Sequence, residues 1–205
     1  MSDSLPSLFL VRHGETAWSL SGQHTGLTDL PLTARGEEKA ALLKNRLAGL
    51  TFTKIWRSPL QRATRTCELA GFSAVAEPDP DLVEWNYGDY EGLRSVEIQA
   101  QRPGWRIFRD GCPGGESPAQ VAARADAVLA RVRATNGNVM VFSSGHFLRV
   151  LTARWFNLDP RGGELFVLDT ASVSTLGYEH VPDHPVIRLW NDTAHLLDAT
   201  RNPAI

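Results

Sequence analysis

Two stretches of the chain are apolar without interruption, Leu8-Phe9-Leu10-Val11 and Val139-Met140-Val141-Phe142. A strand with one wet face alternates apolar and polar residues, so an unbroken run predicts a parallel strand covered on both faces. Weaker β-rich runs stand at "FTKIW" and "SAVAEP". Two late runs, "ASVSTLGYEH" and "PVIRLW", are joined through "VPDHP" and read as an antiparallel hairpin.

Helical patterns fill the intervals. "TARGEEKAALLKNRLAGL" has Thr33 as N-cap, acidic residues early, Lys44 and Arg46 late, and Gly49 at the exit. In "RSPLQRATRTCELAG", Ser58 reads as the cap, Pro59 as the first helical residue and Gly71 as the stop. Helical segments between Ser95 and Arg109 are broken by Pro103 and Gly104. "SPAQVAARADAVLARVRA" opens on Ser117-Pro118, and "HFLRVLTARWFNL" follows the second apolar strand. "SLSGQHTGLTDLPL" reads as a long loop, and "DLVEWNYGDYEGL" as another. Strands alternating with helices predict an α/β three-layer sandwich. Its central sheet is mostly parallel, with helices on both faces and the C-terminal antiparallel hairpin at its end. With no repeat or low-complexity linker, residues 1–205 are expected to form one domain.

Composition narrows the function classes. A net charge of −2 gives no general field for nucleic acid, so an anion site has to be local. Cys67 and Cys112 are too few for a disulfide framework and wrongly spaced for zinc, which suits a reducing, cytoplasmic setting. Cys67 reads as a small core residue. The N-terminus lacks a secretory pattern, and no apolar stretch approaches the ~20 residues of a membrane span. No membrane or nucleic-acid partner is expected. The hairpin after Ala171 could pair between subunits, which leaves a homo-oligomer open.

In an α/β sheet, ligands sit beyond the carboxyl ends of the strands. There the first strand ends in Arg12-His13, the "KIW" strand leads into the helix carrying Arg62, and the "VMVF" strand ends in Ser143, Ser144, Gly145 and His146. Two arginines, an imidazole and helix N-termini at one edge make a phosphate or carboxylate pocket. His13 is the candidate nucleophile, attacking phosphorus to form a phosphohistidine. A leaving alkoxide needs an acid, for which Glu84, Asp89 and Glu91 all stand in one loop. His180 and His184 flank a hairpin turn without carboxylate support, so chance explains their spacing better than a metal site. Lone His24 and His195 are read the same way.

The motifs "LVRHGETAW", "TGLTDLPLTARGEEKA", "SPLQRATRT", "EWNYGDYEG" and "SSGHFLRVL", in this order from Leu8 to about Phe156, resemble the histidine phosphatase superfamily in its phosphoglycerate-mutase-like branch. "GQHTGLTDLPLT" and "EWNYGDYEG" resemble the sedoheptulose-bisphosphatase type. The resemblance implies His13 as nucleophile, Arg12 and Arg62 as phosphate ligands, and Glu84 as proton donor and later activator of water. It places Ser19, Gln23, Thr25 and Gly26 on a loop that contacts phosphate or substrate, and Tyr87 at the pocket; His146, at the end of the "VMVF" strand, is a further candidate substrate contact. It implies no metal and no organic cofactor. Ser144 departs from the pattern, occupying the position of the family's second histidine, a donor to the phosphate; loss of such a donor costs ~10²–10³ in rate. A swing of His146 into its place, a lineage that works with serine, or an introduced substitution would each account for it. "FSSGH" lacks the glycine that a serine-hydrolase nucleophile would need two residues earlier. The expected activity is hydrolysis of a small phosphorylated metabolite, a sugar phosphate or bisphosphate. The rivals are a phosphoglycerate-type mutase and a phosphate binder impaired at Ser144.

Overall fold

In the computed structural model, which describes residues 5–197, the two unbroken apolar runs are neighbours at the centre of one sheet. β1 (Leu8–Arg12) pairs in parallel with β4 (Val139–Ser143), and β4 in parallel with β2 (Lys54–Arg57). Beyond β2 lies β3 (Glu77–Pro78), also parallel. On the other side β1 pairs antiparallel with β5 (Val173–Tyr178), and β5 with β6 (Pro185–Asp192), the expected hairpin. The sheet order is β3-β2-β4-β1-β5-β6.

The side chains of the runs divide by alternation. Leu8, Leu10, Val139 and Val141 pack with Leu129 and Val132 of α6 (Pro118–Ala134) and Leu148 and Leu151 of α7 (Gly145–Trp155). Val11, Met140 and Phe142 face the other way, against Leu43 of α2 (Ala34–Arg46) and Cys67 of α3 (Gln61–Leu69). With helices on both faces, neither set can be polar, which is why the runs never alternate. Cys67 and Cys112 are free and buried.

Several helix ends follow the predicted chemistry. Thr33 accepts the Gly36 N–H at 2.9 Å, and Ser117 and Gln120 form a reciprocal capping box before α6. Four local expectations need correction. The loop "SLSGQHTGLTDLPL" begins inside a short helix, α1 (Ala17–Ser21), because Thr16 and Ser19 cap each other's backbone N–H groups. α3 starts at Gln61 rather than Pro59, and Ser58 does not cap it. The cap comes from Asp29, whose Oδ1 accepts the Gln61 N–H at 2.8 Å across the preceding loop. "SAVAEP" yields only the two-residue β3, with the chain turning through 72–76 before it. The 95–109 region divides, as expected, into α4 (Ser95–Gln101) and α5 (Ile107–Asp110). "HFLRVLTARWFNL" ends early, at Trp155, with Asn157 in the left-handed region at φ 56°.

The turn after β1 is drawn tightly onto α2. A Cβ at Gly36 would stand 2.2 Å from the Glu15 carbonyl oxygen, and one at Gly14 would stand 2.8 Å from the Gly36 carbonyl oxygen. Only glycines permit the two backbones to come this close. No helix among the described residues is long and apolar enough to cross a membrane.

Candidate active site

Pairing of the parallel strands brings their carboxyl ends to one level. Arg12 is in register with Ser143, and the His13 N–H donates to the Ser143 carbonyl at 2.9 Å. The Gly14 N–H donates to Thr66 Oγ1, which donates in turn to the Arg62 carbonyl, so α3 is fastened to the turn that presents His13. Beyond these ends opens a cavity of about 270 Å³, with Arg12, His13, Glu84, Tyr87 and His146 on its wall.

The His13 ring is buried, and Nδ1 lies 2.7 Å from the Gly14 carbonyl oxygen. A carbonyl only accepts, so Nδ1 carries the hydrogen and Nε2 keeps its lone pair. Burial, then the charges of Arg62 and Arg12, hold the imidazole well below the usual histidine range, so it is neutral. Arg62 has no solvent exposure and does not line the cavity. Its Nη1 donates to Thr28 O at 3.0 Å, and its Nη2 to Thr25 O and Gly26 O at 3.1 and 2.7 Å. Arg12 donates through Nη1 to the Leu168 carbonyl. The Nε atoms of both arginines are buried without a partner. Neither arginine has a carboxylate partner in an ion pair among the described residues. Neutral carbonyls orient the two guanidinium groups without cancelling their charge.

Of the three candidate carboxylates, only Glu84 reaches the cavity. Its Oε1 accepts from the N–H groups of Trp85 and Phe147 at 2.8 and 2.7 Å, and its Oε2 from that of His146 at 2.9 Å. Glu84 therefore caps α7 from outside the helix, satisfying N–H groups that the helix itself leaves without a partner. Glu91 instead receives the N–H groups of Gly26 and Thr28, holding the loop whose carbonyls grip Arg62. Asp89 lies against Gly114, away from the cavity.

Ser19, Gln23 and Thr25 line the cavity as expected, whereas Gly26 is packed behind it; a Cβ there would meet the Trp85 carbonyl oxygen at 2.6 Å. Ser144 precedes α7 but is buried off the wall, and its Oγ has no partner because Glu84 has taken the N–H groups that such a residue ordinarily caps. His146 has not swung into that place: Nδ1 is 2.5 Å from the Tyr87 hydroxyl.

Five further wall residues escaped the sequence reading: Gly22, His24, Ser95, Arg149 and Leu168. His24 corrects the reading of that residue as chance. It is buried, its ring centroid lies 4.7 Å from that of Tyr87, and burial lowers its pKa to about 4. Its position inside the motif "GQHTGLTD" was the available signal. His180 and His184 stand on the exposed hairpin, and no group of three or more metal-binding side chains occurs among the described residues. A larger cavity, about 420 Å³, lies at the opposite end of the sheet beside Trp155 and Tyr178.

The family model of the histidine phosphatase superfamily (branch 1) matches residues 8–193. An acid phosphatase of Mycobacterium tuberculosis is 42% identical over 177 residues, covering 84% of this chain and 87% of that protein. Sedoheptulose 1,7-bisphosphatase of Saccharomyces cerevisiae is 38% identical over 191 residues, covering 77% and 70%. The solved structure of an open reading frame product from Mycobacterium tuberculosis superposes with a TM-score of 0.86 at 38% identity, covering 91% of this chain and 97% of that one.

Proposed function

This chain belongs to the histidine phosphatase superfamily, and on that premise we propose that it is a phosphomonoesterase acting through a phosphohistidine at His13. The observation that carries the proposal is the free Nε2 lone pair of a neutral, buried His13 beside two arginines that have no carboxylate partners, with Glu84 on the same cavity wall. Nε2 attacks phosphorus, and the bond from phosphorus to the leaving oxygen breaks. Arg12 and Arg62 stabilise the charge on the remaining phosphoryl oxygens. A carboxylate offers about four acceptor positions, and backbone N–H groups occupy three of those on Glu84. The fourth, on Oε2, is where we place the proton given to the leaving oxygen. Water then attacks the phosphohistidine, returning that proton to Glu84 and releasing phosphate and free His13.

For substrate we propose a small sugar phosphate or bisphosphate. Hydroxyl and amide groups of Ser19, Gln23, Thr25 and Ser95 line the part of the cavity available to a polyol. The relative from Saccharomyces cerevisiae named for a sugar bisphosphate supports the same class.

Phosphate release from a panel of sugar phosphates tests the reading, with His13→Ala as the blank. Release by the unaltered protein and none by the blank is expected. Ser144→His, restoring an imidazole donor, is expected to raise kcat by about 10² if the serine is the weak point. The proposal is overturned if no phosphoester is hydrolysed. It is equally overturned if the protein instead interconverts phosphoglycerates in response to 2,3-bisphosphoglycerate.

A further inference from the structure

We propose that Tyr87 fixes the tautomer of His146, so that the His146 Nε2–H is a hydrogen-bond donor to an oxygen of the bound phosphoester. His146 then touches substrate and Tyr87 is its positioning residue. The inference rests on the phosphatase reading of the same cavity.

The direction of the Tyr87–His146 hydrogen bond decides the tautomer. Tyr87 is 2% exposed, and its hydroxyl stands 2.5 Å from His146 Nδ1. Burial, and then the negative charge of Glu84, holds the phenol well above its usual range, so the hydroxyl keeps its proton and can donate it. Nδ1 is then the acceptor, and a neutral imidazole with Nδ1 accepting carries its hydrogen on Nε2. The ring stays neutral. Burial is the largest influence, and the charged or titratable groups around it are Arg149 on α7, His24 on the loop after α1 and Arg12 on β1, all of which oppose a second proton. Glu84 faces the residue from the other side, but it binds the backbone N–H of His146 rather than the ring.

The ring cannot readily turn over. Its centroid lies 5.2 Å from that of Phe108, nearly perpendicular, and 5.8 Å from that of His24. Nε2 has no partner among the described residues, and His146 is half-buried on the wall of the 270 Å³ cavity. A donor tied at its backbone to Glu84 and open at Nε2 to the cavity has the substrate as its remaining partner. Ser144 is buried off that wall, so the imidazole reaching the cavity from the β4–α7 turn is that of His146. His13 and His146 are thus opposite in tautomer: one has its lone pair on Nε2, the other its hydrogen.

Long-range ¹H–¹⁵N correlation of ¹⁵N-histidine-labelled protein reads the tautomer directly, with His146→Gln assigning the signal. At neutral pH the His146 ring is expected to be uncharged with its hydrogen on Nε2. In Tyr87→Phe it is expected to show mixed tautomers and to titrate at higher pH, because a donor to Nδ1 has been removed. A hydrogen on Nδ1, or an imidazolium at neutral pH, in the unaltered protein overturns the proposal without any variant having to fold. For kinetics, His146→Leu is expected to lower kcat/KM for a hexose phosphate about 10-fold, the scale of one hydrogen bond. His146→Gln keeps an N–H donor and is expected to recover most of that loss. No loss in the leucine variant, or equal loss in both, overturns the substrate contact while leaving the phosphatase reading intact. If the unaltered protein released no phosphate, the phosphatase reading would fall, and the spectrum would still decide whether Tyr87 sets the tautomer.

Discussion

His24 shows what burial does to an imidazole that serves as part of a wall. The unfolded chain takes up a proton there near pH 6.5, whereas the folded protein resists until about pH 4. Between these values the unfolded state binds more protons, so stability falls as pH drops below 6.5 and levels off below 4. The full span is worth about 3 kcal/mol. His24→Gln is expected to flatten the fall in melting temperature between pH 6.5 and 4, as read by calorimetry; an unchanged slope would assign the effect elsewhere. His13 and His146 act in the same direction, each held well below the usual range. The fate of His24 was not legible in the sequence because its surroundings are not local. Tyr87, Trp105 and His146 meet it from three distant segments. Arg149 escaped for a similar reason. On its helix it is one cation among several, and only the fold sets it over Phe108, with Nε donating to the Gly163 carbonyl.

Among the elements, α3 has the arrangement least visible from its own residues. Leu60 at its N-cap has no oxygen to offer, and Asp29 supplies the missing acceptor from 32 residues upstream. Asp29→Ala is expected to destabilise the protein by about 1 kcal/mol. That corresponds to roughly 2–4 °C in melting temperature for a chain of this size. It is also expected to loosen the loop whose carbonyls hold Arg62, so that kcat/KM for the chosen phosphoester falls along with stability. A drop in stability with kcat/KM unchanged would show that α3 and the loop are independent. The helices whose caps lie beside them, α2 and α6, could be read from the sequence because their start signals are local. α1 was hidden by its brevity and its glycine- and serine-rich surroundings, and the β3 run by the turn that takes up most of it.

At the scale of the whole molecule, the placement of Arg12, His13, Arg62 and Glu84 around one edge follows from strand order. Uninterrupted apolar runs have to be covered on both faces, and parallel strands in register bring their carboxyl ends together. That logic was legible, and it is why residues 12, 13, 62 and 144–146 could be grouped without coordinates. The choice of Glu84 over Asp89 and Glu91 was not legible from spacing, since it depends on which carboxylate finds the N-terminus of α7. The same strand order has a consequence for opening motions. β1 is hydrogen-bonded on both edges, to β4 and β5, and the His13 N–H continues that ladder to Ser143. The amides from Leu10 to His13 are expected to be among the slowest in the molecule to take up deuterium, limited by global unfolding. Those of α4 and α5 should exchange orders of magnitude sooner. Amide exchange followed by NMR would show this, and fast exchange at His13 would mean that the turn frays on its own. On that expectation, the proposed nucleophile stands on the last part of the protein to let go.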